Sequence, residues 1–154
     1  MRKKEKELTD HGELEAIIRK SSVCRLGMVD KGIPYIVPLS FGYHNNALFL
    51  HGAKKGRKID MITANPNVCF EFDHIMGTVK SEKACNWSMK FQSIIGYGTA
   101  SFLQSKEEKK NALTVIMAQY SDKEFTFPDT MLEATAVIQL SIESMTGKQS
   151  LPEQ

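Results

Sequence analysis

Apolar residues recur at helical spacing in Leu14, Ile17 and Ile18, just after Thr9-Asp10, and Asp10 and Glu13 have the spacing of a reciprocal N-terminal cap. This predicts a helix ending near Ser21-Ser22. The pattern then changes to the period of a strand. Residues 23–29 read as a first strand, Asp30-Lys31-Gly32 as a tight turn, and residues 33 to about 43 as a second strand. Pro34 and Pro38 cannot donate to a neighbouring strand, so the second run belongs at an edge, at a bulge or beside a ligand. Asn45-Asn46 turns the chain into a third strand around residues 48–50, and the three runs form a meander.

A helix over residues 57–65 follows and is closed by Pro66. Residues 67–73 alternate as a strand should, residues 80–88 show no clear pattern, and residues 91–102 form a long strand containing Gly96 and Gly98. Gly-x-Gly inside a strand predicts a strong bend or a close approach of backbones, as when a sheet coils into a barrel. Ser105 and Glu108 are a second cap, opening a helix through Ala112, Leu113, Ile116 and Met117. A polar loop around residues 121–130 leads to a last strand, 134–142, and a tail carrying Met145-Thr146-Gly147-Lys148. Roughly six to seven strands and three helices, joined mostly by hairpin-type turns, predict a mainly β protein: an antiparallel barrel with helices on its outside. The 154 residues suit one domain spanning 1–154, and no internal repeat divides them.

Composition narrows the function more than the fold. The net charge of +2 is too small to draw in nucleic acid or a membrane surface by long-range field, so any electrostatic role is local. No run approaches the roughly 18 apolar residues of a membrane span, and the charged N-terminus is followed by no apolar segment of the kind a secretory signal carries. Three cysteines without a CxxC pair, two of them in apolar strand-like runs, suit a reducing compartment. These features predict a soluble, cytoplasmic protein.

Charge concentrates in one place, His51-Gly52-Ala53-Lys54-Lys55-Gly56-Arg57-Lys58, between the third strand and the helix that follows. A basic, glycine-containing turn opening a helix has the chemistry of a phosphate site, because the first amides of the helix point outward and its dipole favours an anion. A solvated basic loop is the alternative. Elsewhere the chemistry is sparse. The four histidines share no metal-ligand spacing, although Glu71, Asp73 and His74 could collect ligands at one strand end or simply mark where a strand meets solvent. No nucleophile-elbow, zinc-protease or nucleotide-loop motif is present, and Gly96-Tyr97-Gly98 lies within a strand rather than at a helix start. Trp87 and Phe91 could stack on an aromatic ligand, or fill a barrel mouth or an interface.

The order of these features resembles the pyridoxamine-5′-phosphate-oxidase-like FMN-binding split barrels, in particular their nitroimidazole-resistance branch. The matching segments begin with Arg2-Lys3-Lys4, Leu8-Thr9-Asp10, Val23-Cys24-Arg25-Leu26-Gly27 and the run from Pro34-Tyr35-Ile36-Val37 through Pro38-Leu39-Ser40 to Phe41-Gly42-Tyr43. They continue with Leu48-Phe49-Leu50-His51-Gly52-Ala53, Gly56-Arg57-Lys58-Ile59-Asp60, Asn65-Pro66-Asn67-Val68-Cys69-Phe70, Ser93-Ile94-Ile95-Gly96-Tyr97-Gly98 and Met145-Thr146-Gly147-Lys148. Each motif is modest, but their number, order and spacing span essentially the whole chain.

The resemblance implies a Greek-key split barrel that forms a homodimer, with one FMN in each of two clefts at the subunit interface. It implies that Pro38, Leu39 and Ser40 run beside the flavin ring, that His51 and Ala53 line the cleft edge, and that Arg57 and Lys58 hold the FMN phosphate. It further implies that Ser93 flanks the ring and that Thr146 and Lys148 approach from near the C-terminus, with His51 or Lys148 near the pyrimidine edge as the candidate for tuning the chemistry. The basic residues that grip pyridoxamine phosphate in the oxidase have no clear equivalent near this C-terminus, which points away from that activity. The expected function is therefore an FMN-dependent oxidoreductase acting on a small organic acceptor, such as a nitroaromatic. The alternatives are a non-catalytic flavin sensor and a haem-binding split barrel using His51 or His74.

Overall fold

The computed structural model describes residues 4–150, so Arg2 and Lys3 of the N-terminal motif lie outside them. A short 3₁₀ turn precedes β1 (Glu7–Leu8) and α1 (His11–Lys20). The meander is β2 (Cys24–Asp30), β3 (Ile33–Leu39), β4 (Phe41–His44) and β5 (Ala47–Ala53), followed by α2 (Arg57–Ala64), β6 (Asn67–Val79) and β7 (Ser88–Phe102). The chain ends in α3 (Lys106–Ala118), α4 (Asp129–Ala134) and β8 (Thr135–Ser150). Two differences from the sequence pattern matter. The second predicted strand breaks at Ser40 into β3 and β4, and the expected tail is strand: β8 runs eight residues past Ile142 to pair with β7 and β1. The tail looks polar because that half of β8 has one side open, so few of its residues need be apolar.

All eight strands join one antiparallel sheet in the order β3-β2-β6-β7-β8-β5-β4, with β1 added alongside β8. The path begins and ends on consecutive strands that pair with each other nowhere along it, which is the split in the barrel. β3 is an edge, as its prolines require. Two-residue turns with positive φ at Lys31-Gly32 and Asn45-Asn46 close the hairpins, the conformation that matches strand twist.

The inner face of the sheet forms the main core, including Leu26, Phe41, Leu50, Phe70, Phe72, Ile94 and Leu140, all fully buried. Leu14, Ile17 and Ile18 of α1 belong to this same cluster, so α1 stoppers the barrel rather than lying outside it. Asp10 accepts from the Glu13 amide, half of the predicted reciprocal cap, whereas Ser105 and Glu108 make both halves at α3. A second cluster on the other side of the sheet packs Ala112, Leu113 and Ile116 of α3 and Leu132 of α4 on Val137. Lys109 is buried there, and its ammonium donates to the carbonyls of Leu132 and Thr135 where α4 ends. Cys24 lies in the core, where burial pushes its thiol up to about 12, while Cys69 is half-buried and Cys85 exposed. Among the described residues no helix is long and apolar enough to cross a membrane.

Gly96 and Gly98 are needed for their lack of a side chain. A Cβ at Gly96 would overlap the Phe70 ring, and one at Gly98 would overlap the Ser141 carbonyl at the bulge where the β7–β8 register shifts. A ring can shift slightly, whereas a paired strand cannot move without breaking its ladder. Gly98→Ala is therefore expected to destabilise the fold by roughly 1–3 kcal/mol or more. Urea denaturation checks this, and a midpoint equal to wild type would show that the strands have room at the bulge.

Candidate functional site

The basic turn sits between β5 and α2. Gly56 is the N-cap of α2 at φ 125°, a value that favours glycine, and no side chain caps the helix. The amides of Ile59 and Asp60 bond back to the Gly56 carbonyl, at 2.9 and 3.1 Å. Arg57 and Lys58 are thus the first two residues of an uncapped helix. A cavity of about 260 Å³ opens against them. Its apolar wall is Tyr35, Val37 and Leu39 from β3, with Ala53 and Ile59, and its basic wall is Lys55, Arg57 and Lys58.

This cavity spans the split. β3 begins the sheet path and β5 stands five strands further along it. In a flat sheet they would lie about 24 Å apart, at roughly 4.8 Å per strand. Coiling brings them to opposite walls of one hollow.

The Arg57 guanidinium carbon lies 4.4 Å from the Tyr35 ring centroid. The Lys58 ammonium donates to the His51 carbonyl at 3.2 Å, passing over Gly52, which has no side chain to obstruct it. Burial lowers the Lys58 pKa. His51 is held below the ordinary histidine value by burial first and by the neighbouring Lys58 second. Among the described residues, Lys54, Lys55, Arg57 and Lys58 enter no ion pair. Three cations facing an aromatic and aliphatic wall suit an anionic group attached to a flat, apolar body.

The sequence-predicted site residues fall into two groups. Leu39, Ala53, Arg57 and Lys58 line the cavity, and His51 joins them through its carbonyl. Ser40 occupies the break between β3 and β4. Pro38 points the other way from Leu39, because successive strand residues alternate. It opposes Arg25, and the row continues through Glu71 and Ile95 to Thr146. Asp73, Ser93 and Lys148 make the next row of this outer face. Tyr35 and Val37 were missed as wall residues, although their alternation with Pro34, Ile36 and Pro38 is visible once β3 is known to be an edge.

Among the described residues no helix covers the outer face. Ile36 is 66 % exposed, Tyr97 56 % and Ile95 49 %. Ile36 and Tyr97 stand in one row, separated by Gly27 and Cys69. Beside them Arg25 bonds both Glu71 and Asp73, so these carboxylates are used by an ion pair. Among the described residues no group of three or more His, Cys, Asp or Glu could hold a metal ion. Trp87 is half exposed with its indole N–H on the Ser81 carbonyl, and the Lys148 ammonium lies 5.8 Å from the centre of the Phe91 ring. A larger hollow of about 390 Å³ beside the end of α3 mixes Asp122, Lys123 and Glu124 and has no cluster of one sign.

Residues 10–149 match the pyridoxamine 5′-phosphate oxidase family. Among solved structures, the chain is similar to a Bacteroides thetaiotaomicron protein provisionally named a 5-nitroimidazole antibiotic resistance protein. The two are 35 % identical over 92 % of this chain and 85 % of the other, with a TM-score of 0.83. The fold is shared with a flavocytochrome from Azotobacter vinelandii (21 % identity, 99 % and 72 % covered, TM-score 0.88). It is also shared with an FAD- and haem-binding protein from Mycobacterium smegmatis (17 %, 97 % and 76 %, TM-score 0.87). No curated protein sequence matches the chain.

The environment of His51 has a pH signature. Its folded pKa lies below the unfolded one, so between the two values the unfolded chain binds more protons. Its contribution to stability is complete above the ordinary histidine value and is lost as pH falls through that value towards the folded one. Proton NMR of the imidazole should give a midpoint below about 6.5. Lys58→Met should recover the smaller, charge-related part of the shift. An ordinary midpoint in the wild type would contradict the partial desolvation of this ring.

Proposed function

Because the chain belongs to the pyridoxamine 5′-phosphate oxidase family, we propose that it is an FMN-binding flavoprotein that passes electrons from reduced FMN to a small organic acceptor. The observation that carries this reading is the cavity across the split, where Arg57 and Lys58 face an apolar wall and, among the described residues, pair with no carboxylate. The fit is chemical: the arginine offers a planar fork to a phosphate, the lysine adds a point charge, and the uncapped start of α2 favours an anion. When bound, the flavin would supply the electron transfer itself. This chain's residues would hold the phosphate and orient the ring along Leu39 and Ala53. They would also set the local charge through His51, which its surroundings keep neutral to lower pH.

A homodimer completes this site. Pro38, Ser93, Thr146 and Lys148 stand on the uncovered outer face, whose exposed Ile36, Ile95 and Tyr97 form the kind of apolar surface that pairs with another chain. A second copy seated there would place those residues against the flavin held by its partner's cavity. The relative provisionally named for 5-nitroimidazole resistance supports a nitroaromatic acceptor. The phosphate chemistry of Arg57 and Lys58 favours flavin over haem, bound by a single split-barrel domain in a reducing, cytoplasmic setting.

Flavin titration tests the binding half. Arg57→Ala with Lys58→Ala is expected to weaken FMN by on the order of 10²-fold or more while leaving the fold intact, since two charge-assisted contacts are removed. In the same titration Tyr97→Glu should sediment as a monomer and hold FMN poorly. FMN binding unchanged in the double variant, or a wild type that takes up haem with a Soret band and no flavin, would overturn the assignment. The catalytic half is read by stopped-flow oxidation of the anaerobically reduced protein with a 5-nitroimidazole. Oxidation no faster than that of free reduced FMN would rule out this acceptor.

A further inference from the structure

Among the described residues Arg57 has a partner, but not a carboxylate. Its guanidinium lies over the Tyr35 ring at 4.4 Å, and both groups line the cavity. Stacking occupies the face of a guanidinium and leaves its N–H donors free in the plane. A carboxylate would do the opposite, filling the donors and cancelling the charge. The ring beneath is fixed by the sheet: Tyr35 is paired with Met28 in the β2–β3 ladder, and its side chain packs against the main core. The Tyr35 hydroxyl makes no hydrogen bond among the described residues, so the aromatic face is what the arginine uses. Lys58 is restrained separately, through the His51 carbonyl.

We propose that Tyr35 is a positioning residue that holds the Arg57 guanidinium ready for the flavin phosphate, and so sets the preference for FMN over unphosphorylated riboflavin. The inference rests on the flavin reading above. It assigns Tyr35 no contact with the reacting ring. Its effect passes through Arg57 alone, which is what makes it separable from a general loss of fit.

The test compares FMN with riboflavin, which share the ring and differ in the phosphate, by titrating each into flavin-free full-length protein. Tyr35→Val, chosen because a β-branched residue suits an edge strand, should weaken FMN by about threefold to tenfold, as loss of a partly buried cation–π contact predicts. Riboflavin, which lacks the phosphate, should lose less, so that the FMN-to-riboflavin affinity ratio falls even where a shared loss of wall contact weakens both. Tyr35→Phe should keep the wild-type ratio, and Tyr35→Val added to Arg57→Ala should change it no further. Equal weakening of both ligands by Tyr35→Val, or an unchanged ratio in a protein whose ratio collapses with Arg57→Ala, overturns the role of Tyr35 and leaves the flavin reading standing. A wild type that binds neither ligand overturns both. A measurement on the unmodified protein covers a valine variant that does not fold. The Arg57 side-chain protons should show ring-current upfield shifts that persist in Tyr35→Phe, and random-coil shifts would refute the stack.

Discussion

The architecture depends on how tightly β7 can bend. Phe70 fills the barrel beneath it, and the strand passes over that ring only because Gly96 offers no side chain, just as it approaches β8 only because Gly98 offers none. The bend has a consequence far from either glycine. It carries β3 around until the edge strand faces the end of β5 and the start of α2, and the cavity exists only because of that closure. Core packing and site geometry are therefore one constraint.

Within that frame the electrostatics are local. The chain carries 20 basic and 18 acidic residues, yet four of its cations fall within five positions. Five carboxylates elsewhere have partners of their own: Glu71 and Asp73 bind Arg25, Asp129 and Glu133 bind Lys106, and Glu15 accepts from Tyr43. What remains at the turn is a positive cluster tempered by an aromatic ring, a backbone carbonyl and burial. A site so arranged keeps its charge for an incoming anion. The outer face is the converse case, where exposed apolar side chains surround one internally paired charge group.

Much of this was legible along the chain. The period-two runs and their turns marked the meander, Ser105 and Glu108 marked the start of α3, and the two prolines narrowed β3 to an edge, a bulge or a ligand-facing stretch. The basic turn after a strand marked a candidate anion site. Less legible were elements whose pattern is set by neighbours distant in sequence. The second half of β8 reads as a polar tail because one of its faces is open, and it is strand because β7 and β1 supply its hydrogen bonds. Residues 74–79 lost their alternation for a similar reason: a bulge beyond Ile75 shifts the register.

The sequence alone determined most of the strands and helices and the location of the charge, because each follows from backbone conformation and local periodicity. Only the tertiary structure decided what the charge faces. Arg57 and Tyr35 are 22 positions apart in sequence and belong to elements that would lie far apart in an open sheet. Likewise, alternation had to be combined with the direction of curvature before Leu39 could be assigned to the cavity and Pro38 to the outer face. Those pairings come from the coiling of the sheet, and coiling is a property of the packed core, which no single segment contains.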